Sequence, residues 1–286
     1  MFLHAWSIIL RMKKFIITLV LFFIVVPVQA VDFHSNKGAV KKVINSQIKY
    51  ANKGDFDKFI ATYDKDYINS DGFNLEVYSD LVKGIWESYD NIKYNVKIKK
   101  ISVDDDNATV EVVEYANADL ILSKKYTGEL NSESNNIYYL KKINGKWKVV
   151  SDSVLSEKTT MLYGDVKNLD IKLNVPAEIQ ENTEYTASLE FDVPQNTLAI
   201  ASISSDIVEY PQKPAKEVFR AMPEDNILER LFTSNRDNAN EYIIASIGLT
   251  KTDICDLSIK MSLTGFGYVI KRVNVIHPNE KESTNE

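Results

Sequence analysis

The stretch YANKGDFDKFIATYDKDYINSDG, residues Tyr50–Gly72, contains the turn that decides the fold of the first half of the chain. Gly54 tolerates the left-handed backbone that ends a helix, and the Asp55 side chain can accept the first free amides of the next one. Apolar residues recur with helical spacing on both sides of this turn. The stretch therefore predicts two consecutive helices, one with Val40, Val43, Ile44, Gln47, Ile48 and Ala51 on one face and one with Phe56, Phe59, Ile60 and Tyr63.

A third helix and a set of strands follow. Asp71-Gly72 predicts a loop, and the apolar residues of the next helix are Leu75, Tyr78, Leu81, Val82, Ile85, Trp86 and Tyr89. Apolar and polar residues then alternate over 92–98 and 108–112, on either side of a turn at Asp104–Asn107. Asn144-Gly145 lies between two more strands and is typical of a type I′ hairpin, because both residues accept positive φ.

This order of motifs resembles the nuclear transport factor 2-like superfamily, which includes SnoaL-like cyclases and ketosteroid isomerase. The resemblance covers residues 35–163 and rests on the three helices together with NKGDFDKFIATYDKDYI, VDDDNATVEV and NGKWKVVSD. It implies an α+β cone, in which three helices pack on a curved antiparallel sheet around a pocket. Members of the superfamily include both enzymes and binding modules, so the fold implies no single activity.

The resemblance also suggests site residues. Compared with ketosteroid isomerase, residues Val43–Asp71 match without a gap, and Asp71 occupies the position of that family's catalytic carboxylate. Gln47 stands where that family has its oxyanion-holding tyrosine, and an amide is a far weaker acid, which puts such catalysis in doubt. We interpret Asp71 as a solvated turn residue, with a catalytic carboxylate as the alternative. The predicted ligand-binding residues are Gln47, Tyr63, Tyr67, Asp71, Trp86 and Tyr115.

The aromatic residues in that set have a second interpretation, as core residues of a small cone. We favour the core interpretation for Trp86, which lies on the apolar face of the third predicted helix. The two interpretations differ in consequence. A core tryptophan supports stability when it is buried, whereas a residue at the rim of a pocket would affect ligand binding instead.

Composition argues against several kinds of site. The single cysteine, Cys255, allows no internal disulfide and no cysteine-based zinc or iron–sulfur centre. Only His34 and His277 follow residue 30, and both lie at the edges of the predicted domains, so no His–Asp acid–base pair is expected in the cavity. The acidic run Asp104–Asp106 lacks the alternating ligands and the closing glutamate of a calcium loop. We predict no metal site and no cofactor.

The second half, residues 164–277, contains only strand and turn signals. Seven short predicted strands in this half indicate an all-β sandwich, immunoglobulin-like in general shape. We also predict a turn at Gly265 and one helical turn near Lys216–Met222. The predicted strands are Val166–Val175, Tyr185–Val193, Thr197–Ser204, Ile227–Thr233, Glu241–Leu249, Asp256–Leu263 and Tyr268–Ile276.

Residues 1–30 predict a secretory signal peptide. They contain no acidic residue, and Met12-Lys13-Lys14 precedes an apolar run that is too short for a membrane span of about 20 residues. We predict cleavage between Ala30 and Val31, export to the periplasm or the extracellular space, and a mature chain that does not span a membrane. Met12 is an alternative start. Residues 278–286 are polar and are predicted to form a disordered tail.

Charge narrows the choice of partners. Removing Arg11, Lys13 and Lys14 from the 34 basic residues leaves 31 against 40 acidic ones, a net charge of −9, which argues against nucleic acid.

We predict an exported, non-enzymatic protein whose cone binds a small ligand, a peptide, or a second copy through the outer face of its sheet. The sandwich would serve as an adhesion or spacer module. The alternatives are an isomerase-like or SnoaL-like enzyme with a cavity carboxylate, and a structural module of an envelope or secretion machine.

Overall fold

The computed structural model describes residues 30–124, 126–213, 216–255 and 258–277. The predicted signal peptide up to residue 29, the predicted tail and the side chain of Cys255 lie outside the described parts. The described residues from Val40 onward form one compact unit. None of the helices in the described ranges is long and apolar enough to cross a membrane.

Helices precede strands along the chain. The helices are α1 (Ala30–Ala51), α2 (Phe56–Ile60) and α3 (Leu75–Ser88), and a short 3-10 helix spans Asp165–Asn168. The strands are β1 (Lys93–Asp104), β2 (Asn107–Ile121), β3 (Thr127–Ile143), β4 (Lys146–Gly164), β5 (Lys172–Asn174), β6 (Glu178–Gln180), β7 (Glu184–Glu190), β8 (Thr197–Ile207), β9 (Arg220–Ala221), β10 (Ile227–Thr233), β11 (Glu241–Cys255) and β12 (Ser258–Ile276).

The turn between α1 and α2 forms as the sequence predicts. Gly54 has a φ of +64°, and the Asp55 carboxylate caps α2 by accepting from the amide of Lys58 at 3.3 Å. Asn74 caps α3 in the same way, by accepting from the amide of Val77 at 3.0 Å. Asn144 and Gly145 have φ values of +51° and +76° between β3 and β4, as a type I′ hairpin requires.

Strands from both halves of the chain share one sheet. The nine-stranded sheet has the order β1-β2-β3-β4-β12-β11-β8-β9, with β6 paired to β12, and a three-stranded sheet has the order β10-β7-β5. β4 ends at Gly164, where the sequence predicts the domain boundary, but Lys158–Gly164 pair with Gly265–Lys271 of β12. The two halves are therefore joined by backbone hydrogen bonds as well as by the chain.

Two β-bulges divide β4 into segments of different phase. Leu140 pairs with Val149 and Tyr139 with Ser151, so Val150 is an extra residue in β4. A second shift occurs between Asn135 and Asn136 and leaves Leu155 as the extra residue. Each bulge reverses which side chains point to a given face of the sheet. The first half of β4 pairs on its other side with the segment Tyr63–Ser70.

The second half forms two layers. The three-stranded sheet packs against β8, β11 and β12 through a common buried core, whose largest fully buried members are Leu173, Leu189, Phe191, Ile203, Ile243 and Leu249. The fold as a whole is mostly antiparallel sheet with few helices. The finer description of this half as immunoglobulin-like stays a prediction.

Three local predictions in the second half are wrong. β12 continues through Gly265, with Thr264 as a bulge, because the absence of a side chain lets Gly265 lie against the backbone of Tyr163–Val166. The predicted helical turn near Lys216–Met222 contains β9 instead, because Arg220 and Ala221 pair with β8. Of the predicted strand Val166–Val175, only Lys172–Asn174 is extended and paired, and its start is the 3-10 helix.

Candidate functional site

A cavity of about 530 Å³ lies between the helices and the strands β1–β4. Its apolar and aromatic wall comes mainly from α1, α2 and α3, and its polar wall comes mainly from β2, β3 and β4. Tyr242 of β11 and Arg272 of β12 also line it, so the second half of the chain contributes to the site. The polar residues that matter below are Gln47, Asp71, Glu114, Asn136, Tyr138, Asp152, Glu157, Tyr242 and Arg272.

The structure brings most of the predicted ligand-binding residues to this cavity. Gln47, Tyr63, Asp71, Trp86 and Tyr115 are all among the lining residues. Tyr67 is not; it is 1% exposed and lies behind the wall, where its hydroxyl donates to the carboxylate of Asp152. Tyr63 contacts it edge-on, with ring centroids 5.1 Å apart.

Trp86 combines the two roles that the sequence left open. Its ring packs against Phe56 and Phe59, with centroid distances of 6.1 and 5.7 Å, as a core residue of α3. It also lines the cavity, and its indole Nε1 donates to the hydroxyl of Tyr94 at 3.2 Å. The indole of Trp86 is therefore a natural reporter for what enters the cavity.

The interpretation of Asp71 as a solvated turn residue is wrong. Its side chain is 6% exposed and forms a bidentate ion pair with Arg272, with N–O distances of 2.6 and 3.0 Å. Asn240 also donates to this carboxylate, at 2.7 Å. Asp71 reaches Arg272 because the preceding segment runs along β4, where the amide of Ser70 donates to the carbonyl of Asp152. A carboxylate held by three donors is poorly placed to act as a base.

Glu114 is the acidic residue in the cavity that sequence reasoning missed. It lies on β2 and accepts hydrogen bonds from Asn136 Nδ2 at 2.7 Å and from the Tyr138 hydroxyl at 3.0 Å. Burial raises the pKa of Glu114 to about 6, against the opposing effect of these two donors. A signal was present in the sequence, since Glu114 continues the alternation of the buried residues Val110 and Val112.

Two further carboxylates line the cavity from β4. Burial raises the pKa of Asp152 to about 6, although the Tyr67 hydroxyl donates to it. Burial also raises the pKa of Glu157, which accepts from the Tyr242 hydroxyl at 3.1 Å. Neither residue forms a salt bridge among the described residues. Simple alternation along β4 gave no signal for Asp152, because the bulge at Val150 puts it out of phase with Val149, whereas the second bulge brings Glu157 back into phase.

Two amide groups in the wall carry unpaired atoms. Gln47 is 4% exposed and Asn136 is 6% exposed, and both line the cavity. Within the described part of the chain, Gln47 Nε2 and Asn136 Oδ1 have no hydrogen-bond partner. Buried polar atoms in native proteins are rarely left unpaired, so these two are candidates for contact with a bound molecule.

Replacing Glu114 by glutamine should stabilise the protein at neutral pH. The glutamate has a folded pKa of about 6 and an unfolded one of about 4.3. The stability that its protonated form contributes is therefore present below about pH 4 and lost as the pH rises through 6. Glutamine mimics the protonated form, so we expect the free energy of unfolding to rise by about 2 kcal/mol at pH 7.5 and to be unchanged at pH 4.

Urea unfolding at both pH values measures this difference. Glu111→Gln is the matched control, because Glu111 lies on the same strand and its side chain is 48% exposed. Its effect should stay within about 0.5 kcal/mol at either pH. Equal destabilisation by Glu114→Gln at both pH values would contradict the assignment of a raised pKa.

The described residues contain no group of three or more His, Cys, Asp or Glu arranged to hold a metal ion. Apart from Asp71, the carboxylates of the cavity are each bound by hydroxyl or amide donors.

The fold and the cavity define an α+β protein with a ligand-sized pocket between helices and sheet. Residues 42–160 match the family model described as "Anti-sigma-I factor RsgI9, C-terminal domain". The matched region is less than half of the chain and contains the three helices, in whole or in part, and most of β1–β4. No curated protein matches the chain.

Several solved structures are similar to part of the chain. Bd1075 from Bdellovibrio bacteriovorus has 17% identity and a TM-score of 0.33 over 40% of this chain, and the match spans 38% of the Bdellovibrio protein. The Kfla4162 protein from Kribbella flavida has 10% identity and a TM-score of 0.39 over 42% of this chain and 90% of its own.

A third structure carries the fold name that the sequence suggests. It is an NTF2-like protein of unknown function from Pseudomonas putida KT2440, with 11% identity, a TM-score of 0.30, and coverage of 42% of this chain and 86% of its own. All three scores are low, so the likeness carries no argument about activity. The functional argument below rests on the cavity of this chain.

Proposed function

We propose that this chain is an exported, non-enzymatic binding protein whose cavity holds a small ligand. The observation that carries the proposal is the cavity itself: about 530 Å³, with a largely apolar and aromatic wall and a few inward polar groups. Ligand sites of proteins have this size and this mixture of surfaces. The two unpaired amide atoms, Gln47 Nε2 and Asn136 Oδ1, are hydrogen-bonding groups that a ligand would satisfy.

Two features favour binding over catalysis by Asp71, the position that the resemblance suggests for a catalytic carboxylate. Asp71 is held by Arg272 and Asn240, and Gln47 replaces the tyrosine that would stabilise an oxyanion. The family model that matches residues 42–160 is described as the C-terminal domain of an anti-sigma-I factor. For this chain we correspondingly propose that binding of a ligand in the cavity acts as a signal.

The second half would then support and position the cavity. Tyr242 and Arg272 line it, and β12 continues the sheet that forms its floor. In the same proposal, the second half is an immunoglobulin-like sandwich that serves as a spacer or adhesion module. The first half would form a dimer through the outer face of its sheet. Export followed by cleavage after Ala30 would place the cavity outside the cytoplasm.

A thermal unfolding screen of neutral and charged fragments tests the binding proposal. A ligand that binds the folded state at 100 times its Kd stabilises it by about 2.7 kcal/mol. We expect some fragments to raise the Tm of the protein, and Ala116→Phe to abolish the effect, since Ala116 lines the cavity. Ala221→Phe is the control, because Ala221 lies on β9 and is exposed.

The two variants separate specific binding from surface adsorption. A fragment that stabilises Ala221→Phe but not Ala116→Phe occupies the cavity. If no fragment raises the Tm, or if every active fragment acts equally on both variants, the cavity is not a ligand site and the proposal fails.

A second candidate function is an enzyme that uses a cavity carboxylate, and Glu114 or Asp152 is the better candidate base, because Asp71 is held by Arg272 and Asn240. A pKa of about 6 suits proton transfer near neutral pH. Exchange of deuterium from solvent into a bound ligand, lost in Glu114→Gln and retained in Glu111→Gln, would favour this candidate. Binding without any exchange or turnover would favour the first.

A further inference from the structure

The charges in the cavity are strongly unbalanced. The lining residues include four carboxylates, from Asp71, Glu114, Asp152 and Glu157. Arg272 is the one basic residue among the described residues of the lining, and it is committed to Asp71 by two hydrogen bonds. The other three carboxylates, of Glu114, Asp152 and Glu157, therefore have no cation paired with them among the described lining residues.

Glu114 has the weakest compensation of the three. Its two partners, Asn136 and Tyr138, are neutral, and it forms no ion pair within the described part of the chain. Asp152 and Glu157, in contrast, both feel the charge of Arg272. An ionised carboxylate in a partly buried site is costly unless an opposite charge is close to it.

The atoms around Glu114 indicate that the ligand carries a hydrogen-bond donor. Asn136 is 6% exposed and lines the cavity beside Glu114, and its Oδ1 accepts no hydrogen bond from the described residues. A carboxylate and a carbonyl oxygen side by side accept from the same kind of group, one that carries several N–H bonds and a positive charge.

The remaining wall suits the body of such a molecule. Aromatic rings surround the cavity, contributed by Phe59, Tyr78, Trp86, Tyr89, Tyr94 and Tyr115. Aromatic faces attract cations and also bury apolar carbon. Gln47 Nε2 adds one donor for an oxygen of the same ligand.

We infer that the cavity selects a small organic cation, an ammonium group on an apolar or aromatic body, with Glu114 and the Oδ1 of Asn136 as the groups that recognise the ammonium. The inference rests on the proposed function, because it names the class of ligand for the same cavity. The charge that the ligand brings offsets the one that the folded chain leaves uncompensated at Glu114.

Three probes of nearly equal shape test the sign of the charge. They are 2-phenylethylamine, 2-phenylethanol and phenylacetate, which are cationic, neutral and anionic at pH 7.5. Binding is followed by the indole N–H resonance of Trp86 in the ¹⁵N-labelled protein. The resonance of Trp147 is an internal control, because Trp147 is 6% exposed and is not part of the cavity lining.

We expect the amine to shift the Trp86 resonance at a concentration about tenfold or more below that required of the alcohol, and phenylacetate to be the weakest. Trp147 should not respond to any of them. Glu114→Gln should reduce the advantage of the amine over the alcohol to less than about threefold, whereas Glu111→Gln should retain it. The comparison of the three probes uses the unmodified protein, so it decides the question even if a variant does not fold.

The outcomes separate the two proposals. If the alcohol or phenylacetate binds as tightly as the amine, or if Glu114→Gln keeps the full preference, the inference is overturned while the binding proposal stands. If none of the probes shifts Trp86 up to its solubility limit, the inference fails, and the fragment screen with Ala116→Phe decides the binding proposal separately. A shift of Trp147 equal to that of Trp86 would show binding elsewhere and would also overturn the inference.

Discussion

Replacing Arg272 by leucine should destabilise the folded protein by about 3–5 kcal/mol, as expected when one partner of a buried ion pair is removed. The side chains of Arg272 and Asp71 are 1% and 6% exposed, so the variant would leave the Asp71 carboxylate buried without its counter-charge. Asp71 would keep only the Asn240 amide as a donor, and Asn274 Oδ1 would lose the 2.7 Å bond from Arg272 Nε. Urea unfolding monitored by circular dichroism measures the change.

Two controls show whether the charge is the cause. The double variant Asp71→Leu/Arg272→Leu removes both charges and should lose less than about 2 kcal/mol, because a buried pair can be replaced by apolar residues at little cost. Lys83→Met breaks the exposed pair with Asp80, whose side chains are both 52% exposed, and should cost less than about 1 kcal/mol. A double variant as unstable as Arg272→Leu would show that shape, and not charge, makes Arg272 important.

Replacing Gly265 by alanine should destabilise the protein by about 4 kcal/mol or more, or prevent folding. A Cβ at this position would lie 2.6 Å from Val166 N, and 2.7 Å from both Asp165 N and Tyr163 O. All three are backbone atoms, one in β4 and two in the 3-10 helix that follows it, so relief cannot come from moving a side chain. The measurement is the yield of soluble protein together with its urea midpoint.

Gly84→Ala is the matched control, because a Cβ at Gly84 meets no atom within 4 Å and the residue is exposed in α3. Alanine is the better helix former, so this variant should be more stable by about 0.5–1 kcal/mol. A normal midpoint for Gly265→Ala would show that β12 does not lie as close to β4 as the structure has it.

The sequence by itself determined the helices, the tight turns and the presence of strands. Gly54, Asp55 and the Asn144-Gly145 pair act through local backbone preferences, and these depend on few neighbours. The apolar face of α3 also follows from spacing, and Trp86 lies on it as predicted. Glu114 was accessible to the same reasoning, because it is in phase with Val110 and Val112 on the inward face of β2.

Only the tertiary structure decided which residues of β4 face the cavity. The bulge at Val150 puts Asp152 on the same side as Val149, against simple alternation, and the bulge at Leu155 restores the original phase, so that Glu157 also faces that side. A bulge depends on the pairing with a neighbouring strand, and the sequence of one strand does not record it. The continuation of β12 through Gly265 is hidden for the same reason, since it depends on contact with the end of β4.

The burial and pairing of Asp71 are the clearest example of a feature that depends on tertiary structure. Its neighbours in sequence form a loop beside Gly72, and local reasoning therefore predicted a solvated carboxylate. Its partner, Arg272, is 201 residues away along the chain and reaches it only when β12 joins the sheet next to β4. The sequence determined that a carboxylate stands at this turn, whereas the long-range pairing of strands decided that it is buried and neutralised, because charge compensation depends on distance in space.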